Sequence, residues 1–89
     1  MFILTIDGRE EEGAYSVIDD DGNQILYIFE QEDDAVRFAM MLEEEEYPEM
    51  HILEIDEKVI ISVCEMNDHK YAIITKNDLV IPPEVNDFI

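Results

Sequence analysis

Five consecutive apolar residues, Ile25–Phe29, constrain the fold more than any other stretch of this chain. They follow Asp20-Asp21-Gly22-Asn23, a turn signal in which Asp-Gly supplies the positive φ angles of a tight hairpin. The pattern predicts a strand over 24–30, hairpin-linked to a preceding strand over 14–19. An unbroken apolar run is typical of a central strand covered on both faces, or on one face with a loop against the other.

The hydrophobic period changes to that of a helix directly afterwards. Four apolar residues within 32–46 recur at i, i+3, i+4 and i+7 and predict one buried stripe, formed by Ala35, Phe38, Ala39 and Leu42. The first turn holds Glu32–Asp34, where the helix dipole favours anions. Arg37 lies one turn on and can pair with one of the last two of these acids. Pro48 ends the helix.

The remaining elements are shorter. Apolar alternation predicts a first strand over 2–7, a fourth over 49–55 and a fifth over 71–75. Asp56 is suited to cap a second helix that runs to about residue 67 and buries Val59, Ile60, Val63 and Cys64. Residues 79–83 contain two prolines, which predict an extended segment.

The element order is therefore βββαβαβ. For 89 residues we expect one domain over 1–89, with one modest core. We predict the α+β class: a mixed four- to five-stranded sheet with two helices on one face, close to a ferredoxin-like α/β sandwich.

The charge of the chain limits its partners. Twenty-four Asp and Glu face five Lys and Arg, which gives a net charge of −19. Such a chain repels phosphate backbones and anionic membrane surfaces, and it attracts basic proteins. A purely solubilising acidic shell explains the same composition, so both interpretations stay open.

Two acidic runs are the candidate binding residues. The first lies in a predicted loop and comprises Glu10, Glu11 and Glu12. The second lies in the last turn of the first predicted helix, where the dipole disfavours anions, and comprises Glu43, Glu44, Glu45 and Glu46. The second run is either an acidic surface for a basic partner or a solvated, fraying helix end.

No pattern for catalysis, metal or cofactor binding is present. Cys64 lies on the apolar stripe of the second helix, which favours a buried structural thiol over a nucleophile paired with His51 or His69. One Cys and two scattered His do not supply a zinc site. An EF-hand aligned on Gly22 would need oxygen ligands where Val17 and Ile28 stand. We predict no catalytic residue, no metal, no cofactor and no enzymatic activity.

Several blocks of the sequence together resemble a known family. They are Ile28-Phe29-Glu30, then Glu32-Asp33-Asp34-Ala35 with Arg37-Phe38-Ala39, then Tyr47-Pro48, and near the end Ile81-Pro82-Pro83-Glu84 with Asn86. The chain resembles a small domain of cyanobacteria and plastids, also plausible in cyanophages, that has no assigned function. The resemblance implies no catalytic residues.

Three functions are compatible with these features. The first is a non-enzymatic accessory or adaptor domain for a basic protein partner. The second is a small-ligand sensor module on a ferredoxin-like sheet, and the third is an acidic mimic of nucleic acid that inhibits a basic host protein. We expect a cytoplasmic protein, since a single cysteine forms no internal disulfide and no segment is apolar over 18 residues. An edge strand, either the second or the fifth, could pair across a two-fold axis, so a homodimer stays open.

Overall fold

A computed structural model describes residues 1–8 and 13–76, and the backbone of 86–88. It contains two helices and six strands: β1 (Phe2–Ile6), β2 (Tyr15–Ile18), β3 (Gln24–Phe29), α1 (Glu32–Glu44), β4 (Met50–Glu54), α2 (Glu57–Met66), β5 (Lys70–Ile74) and β6 (Asn86–Phe88). The predicted extended segment at 79–83 lies outside the described residues. The α+β class, with one sheet and two helices, is confirmed.

The turn between β2 and β3 is fixed by one carboxylate. Asp19 accepts hydrogen bonds from the backbone N–H groups of Asp21 at 3.0 Å and Asn23 at 2.8 Å. Gly22 adopts φ +83°, a backbone conformation that is strained for a residue with a side chain. These local contacts set the register of the hairpin, in which Val17 lies opposite Ile25.

The sheet is centred on β3, as the apolar run predicts. Strands β1 and β2 pair with β3 in antiparallel orientation, and β5 pairs with it in parallel orientation. The hydrogen-bonded path runs β4-β1-β3-β2-β6. The sheet is therefore mixed, but the described residues form six strands where four to five were expected. The extra strand is β6, which pairs with β2, so β2 is not an edge strand.

The two helices lie on opposite faces of this sheet, which corrects the prediction that both share one face. Successive side chains of a strand point to opposite faces. Leu4 and Phe29 pack with α1, whereas their neighbours Ile3 and Ile28 pack with α2. The central strand is thus covered on both sides, and the arrangement differs from a ferredoxin-like sandwich.

The larger core cluster lies under α1 and is aromatic at its centre. The ring of Phe38 lies 5.4 Å from Tyr15, 5.8 Å from Tyr27 and 5.4 Å from Phe29, measured between centroids. The four residues of the predicted helical stripe are all buried. Aromatic pairs at these distances add to the stabilisation from buried area.

Both helices end in the same backbone motif. Glu46 after α1 and Asp68 after α2 adopt positive φ angles of 70° and 58°. The following amides reach back to the last turn, from Tyr47 to the Leu42 carbonyl and from His69 to the Cys64 carbonyl. These 6→1 bonds define Schellman motifs, in which glycine is the usual left-handed residue.

Candidate functional site

The acidic run Glu43–Glu46 lies at the exposed C-terminal end of α1 and is here called the acidic end. Glu43 and Glu44 are the last helical residues, Glu45 is the C-cap and Glu46 is the left-handed residue of the Schellman motif. The helix therefore ends two residues earlier than predicted. The other predicted acidic run, Glu10, Glu11 and Glu12, lies outside the described residues.

Among the described residues, the acidic end lacks counter-charge. None of its four carboxylates forms a hydrogen bond or an ion pair with another described residue, and the last turn of α1 contains no basic residue. The negative pole of the helix dipole adds to their repulsion. The arrangement can bind cationic groups, because no other described residue occupies the acceptor capacity of these carboxylates.

The residue that follows the acidic end packs on the core. Tyr47 packs against the core cluster under α1, which contains the buried phenol of Tyr15. Burial raises the pKa of Tyr15 above its ordinary value, and the neighbouring Tyr47, Tyr27 and Glu45 raise it further. The position of the acidic end is consequently tied to the packing of α1 on the sheet.

Two apolar side chains lie on the same outward side of α1. Val36 and Met40 are four residues apart, and Met40 is 58% exposed. Glu43 and Glu44 follow at the next helical turn. The outward side of α1 thus combines an apolar centre with an acidic margin, a pattern that suits contact with a basic and partly apolar protein surface.

The N-terminal end of α1 carries charges of both signs, two of which form an ion pair. Arg37 donates from Nη1 to Asp34 Oδ1 at 3.2 Å, which confirms the predicted pairing. A shallow depression at this end is lined by Gln31, Asp33, Asp34, Arg37 and Lys76. Two of the five cations of the chain lie there, so this end is far less electronegative than the acidic end.

The second concave feature lies between α2 and the sheet and is here called the α2 groove. It has a volume of about 330 Å³ and is lined by Ala14, Leu26, Ile60, Val63, Cys64, Asn67 and His69. The Asn67 amide already donates to the Val63 carbonyl at 2.9 Å. The groove is therefore mostly apolar, with His69 as its main polar group.

Cys64 has the properties of a structural thiol. It is 2% exposed, and burial, aided by the Glu65 charge, raises its pKa above the ordinary value. A nucleophilic cysteine needs the opposite shift, toward thiolate. The structure places His69 on the same groove, whereas His51 lies on β4. Within residues 1–8 and 13–76, no three His, Cys, Asp or Glu side chains are grouped to hold a metal.

Two predicted burials are wrong, and the two side chains belong to a further exposed surface. Val59 and Val63 of α2, expected in the core, are 51% and 43% exposed, and Met66 is 84% exposed. These three residues, spaced i, i+4 and i+7, form the α2 stripe. The sequence holds a usable signal for it, because the apolar residues of α2 occupy more of the helix circumference than one sheet face can cover.

Comparison with known proteins identifies the family. No curated protein and no solved structure matches the chain significantly. In the described part of the chain, no helix is long and apolar enough to cross a membrane. The family model of the domain of unknown function DUF3110 matches residues 1–84, which is nearly the whole sequence. The chain therefore belongs to the DUF3110 family.

Proposed function

We propose that this domain is a non-enzymatic accessory or adaptor domain that binds a protein with a basic surface. One observation carries the proposal: Glu43–Glu46 are exposed, lack counter-charge among the described residues and lie at the helix end that electrostatics disfavours. A basic partner would relieve that repulsion. Charge of this kind speeds association and selects the sign of the partner more than it sets affinity.

The apolar pair beside the acidic end would supply the contact that charge alone does not. Val36 and Met40 are exposed on the same side of α1. Apolar side chains at the centre of an interface and charges at its rim are the usual division of roles. We therefore propose the outward side of α1, from Val36 to Glu46, as the binding surface.

The setting is part of the same proposal. The sequence resemblance supports a cyanobacterial or plastid protein, or one of a cyanophage, and a single cysteine is compatible with the reducing cytoplasm. The net charge of −19 argues against direct contact with nucleic acids or anionic membranes. The raised pKa of Cys64 argues against nucleophilic catalysis at the α2 groove.

The test is affinity capture from cyanobacterial lysate with the tagged chain at low and high salt, read by mass spectrometry. The wild type is compared with the double variant Glu43→Lys/Glu44→Lys and with the matched control Glu54→Lys/Glu65→Lys, which changes net charge equally at exposed positions elsewhere. We expect a basic protein that is lost at high salt, lost with the first variant and retained by the control. Equal retention by both variants would contradict the proposal.

A second candidate function has one observation in its favour. The α2 groove, at about 330 Å³, lies at the lower end of the size range of small-molecule sites. A sensor module would bind a small, mainly apolar ligand there. The nucleic-acid-mimic alternative gains support only if the captured partner binds DNA and DNA competes with the domain for it.

A further inference from the structure

The α2 stripe and the α2 groove form one continuous apolar surface. Val63 belongs to both, since it is exposed along the helix and also lines the groove. Ile60 and Cys64 continue the surface into the groove, toward the core. The surface therefore runs from the buried core to Met66, the most exposed large apolar side chain of the described residues.

This surface is uncharged, which is unusual for this chain. At about 100° per residue, the stripe and the groove-lining residues of α2 occupy a sector of roughly 160°. The charged residues of α2 are Glu57, Lys58 and Glu65, and all three fall outside that sector. One third of the whole chain is charged, so an uncharged sector of this width is a distinct feature.

The charges carried by α2 and by the turn after it nearly balance. Residues 57–70 hold three acids, Glu57, Glu65 and Asp68, and two lysines, Lys58 and Lys70, although the chain as a whole carries −19. Two copies of so acidic a protein repel each other over most of their surfaces. Repulsion is weaker where two α2 faces meet.

The surface combines a projection with a concavity. It carries an apolar projection, Met66, and an apolar concavity, the α2 groove, on the same side of one helix. A flexible, unbranched Met side chain adapts well to an irregular groove. In a two-fold interface each copy offers both parts. The projection of each copy can therefore enter the groove of the other, and the same contact forms twice.

From these relationships we infer that the α2 stripe and groove form the interface of a symmetric homodimer, with Met66 of each copy seated in the α2 groove of the other. A small ligand in the groove would explain neither the exposed Val59 nor Met66. A basic partner would be drawn to the acidic end of α1, on the opposite face of the sheet. The inference is independent of the adaptor function.

Sedimentation equilibrium of the full chain over a wide concentration range, at low and high salt, tests the inference. We expect a reversible dimer that strengthens as salt rises, because screening reduces the repulsion between two acidic copies. Met66→Glu should weaken the dimer at least about tenfold, since it places a charge against an apolar groove. The matched control Met40→Glu adds the same charge on the exposed side of α1 and should leave the dimer unchanged.

Val63→Glu gives a second, independent readout at the centre of the surface, and far-UV circular dichroism verifies that each variant is folded. A monomer at every concentration and salt would overturn the inference. A dimer that persists in both α2 variants would also overturn it and would point to pairing through a strand edge. A monomer whose groove binds an apolar dye would overturn it as well. Dimerisation should strengthen as salt rises, whereas binding of a basic protein at the acidic end should weaken. The salt dependence therefore distinguishes the two interactions.

Discussion

The backbone N–H of Tyr47 donates to the Leu42 carbonyl oxygen at 3.1 Å and closes the C-terminal end of α1. Between them Glu46 adopts φ 70°, a left-handed conformation that costs about 1–2 kcal/mol for a residue with a Cβ atom. Tyr47 packs against the core below. The end of α1, and with it the acidic end, is thus held by tertiary packing at the expense of local backbone strain.

Replacing Glu46 with glycine should therefore stabilise the fold. We expect Glu46→Gly to raise the free energy of unfolding by about 0.5–1 kcal/mol, because glycine adopts positive φ without a Cβ clash. Urea denaturation followed by circular dichroism measures the change. Glu44→Gly removes the same charge from a helical position and should instead destabilise by about 1 kcal/mol. Changes of the same sign in both variants would show that charge, not backbone strain, dominates at this end.

The capping hydrogen bonds of Asp56 should stabilise α2 independently of the charge of that side chain. Asp56 accepts from the backbone N–H groups of Lys58 at 2.9 Å and Val59 at 3.4 Å. We expect Asp56→Ala to lower the free energy of unfolding by about 1 kcal/mol, since two backbone donors lose their acceptor. Asp56→Ser keeps an acceptor oxygen and should recover most of the loss in the same denaturation experiment. Equal losses for both variants would assign the effect to the charge.

Phe38 should be among the most sensitive core positions. Its ring contacts Tyr15, Tyr27 and Phe29, and it is fully buried. We expect Phe38→Ala to lower the free energy of unfolding by about 3–5 kcal/mol, a large part of the stability of a small domain. Met40→Ala on the exposed side of the same helix should change it by no more than about 0.5 kcal/mol. If Met40→Ala lowered the stability in thermal unfolding as much as Phe38→Ala, the main core would not lie around Phe38.

The hairpin carboxylate should make the stability of the fold depend on pH in the acid range. The hydrogen bond from the Asn23 backbone N–H is the main cause that lowers the pKa of Asp19 below its ordinary value. A lowered pKa in the folded state stabilises the fold above the ordinary aspartate pKa, and this contribution disappears as pH falls through the lowered value. Asp19→Asn should therefore be less stable than the wild type at neutral pH, and the difference should shrink on acidification.

Thermal melting across the acid range measures this difference. Asp20→Asn serves as the control, because it removes the same charge from the adjacent residue. The assignment would be wrong if Asp20→Asn reproduced the pH dependence of Asp19→Asn.

Local sequence determined the elements themselves. Three features depend on residues within a few positions of one another: the helical stripe of α1, the Asp56 cap and the Asp-Gly turn. They can therefore be predicted from the sequence without knowledge of the fold. The central place of β3 was likewise predictable, because an unbroken run of five apolar residues is typical of a central strand. The exposure of Glu43–Glu46 followed from their charge.

Tertiary structure decided how these elements share the sheet. An apolar period shows that a helix buries a face, but the side of the sheet on which it docks depends on distant strand pairing, here the parallel pair of β3 and β5. The same limit explains Val59 and Val63: their apolar character was evident, but the area of sheet available to cover α2 was not. The addition of β6 beside β2 is also a long-range choice, because three residues carry too little pattern to specify a partner.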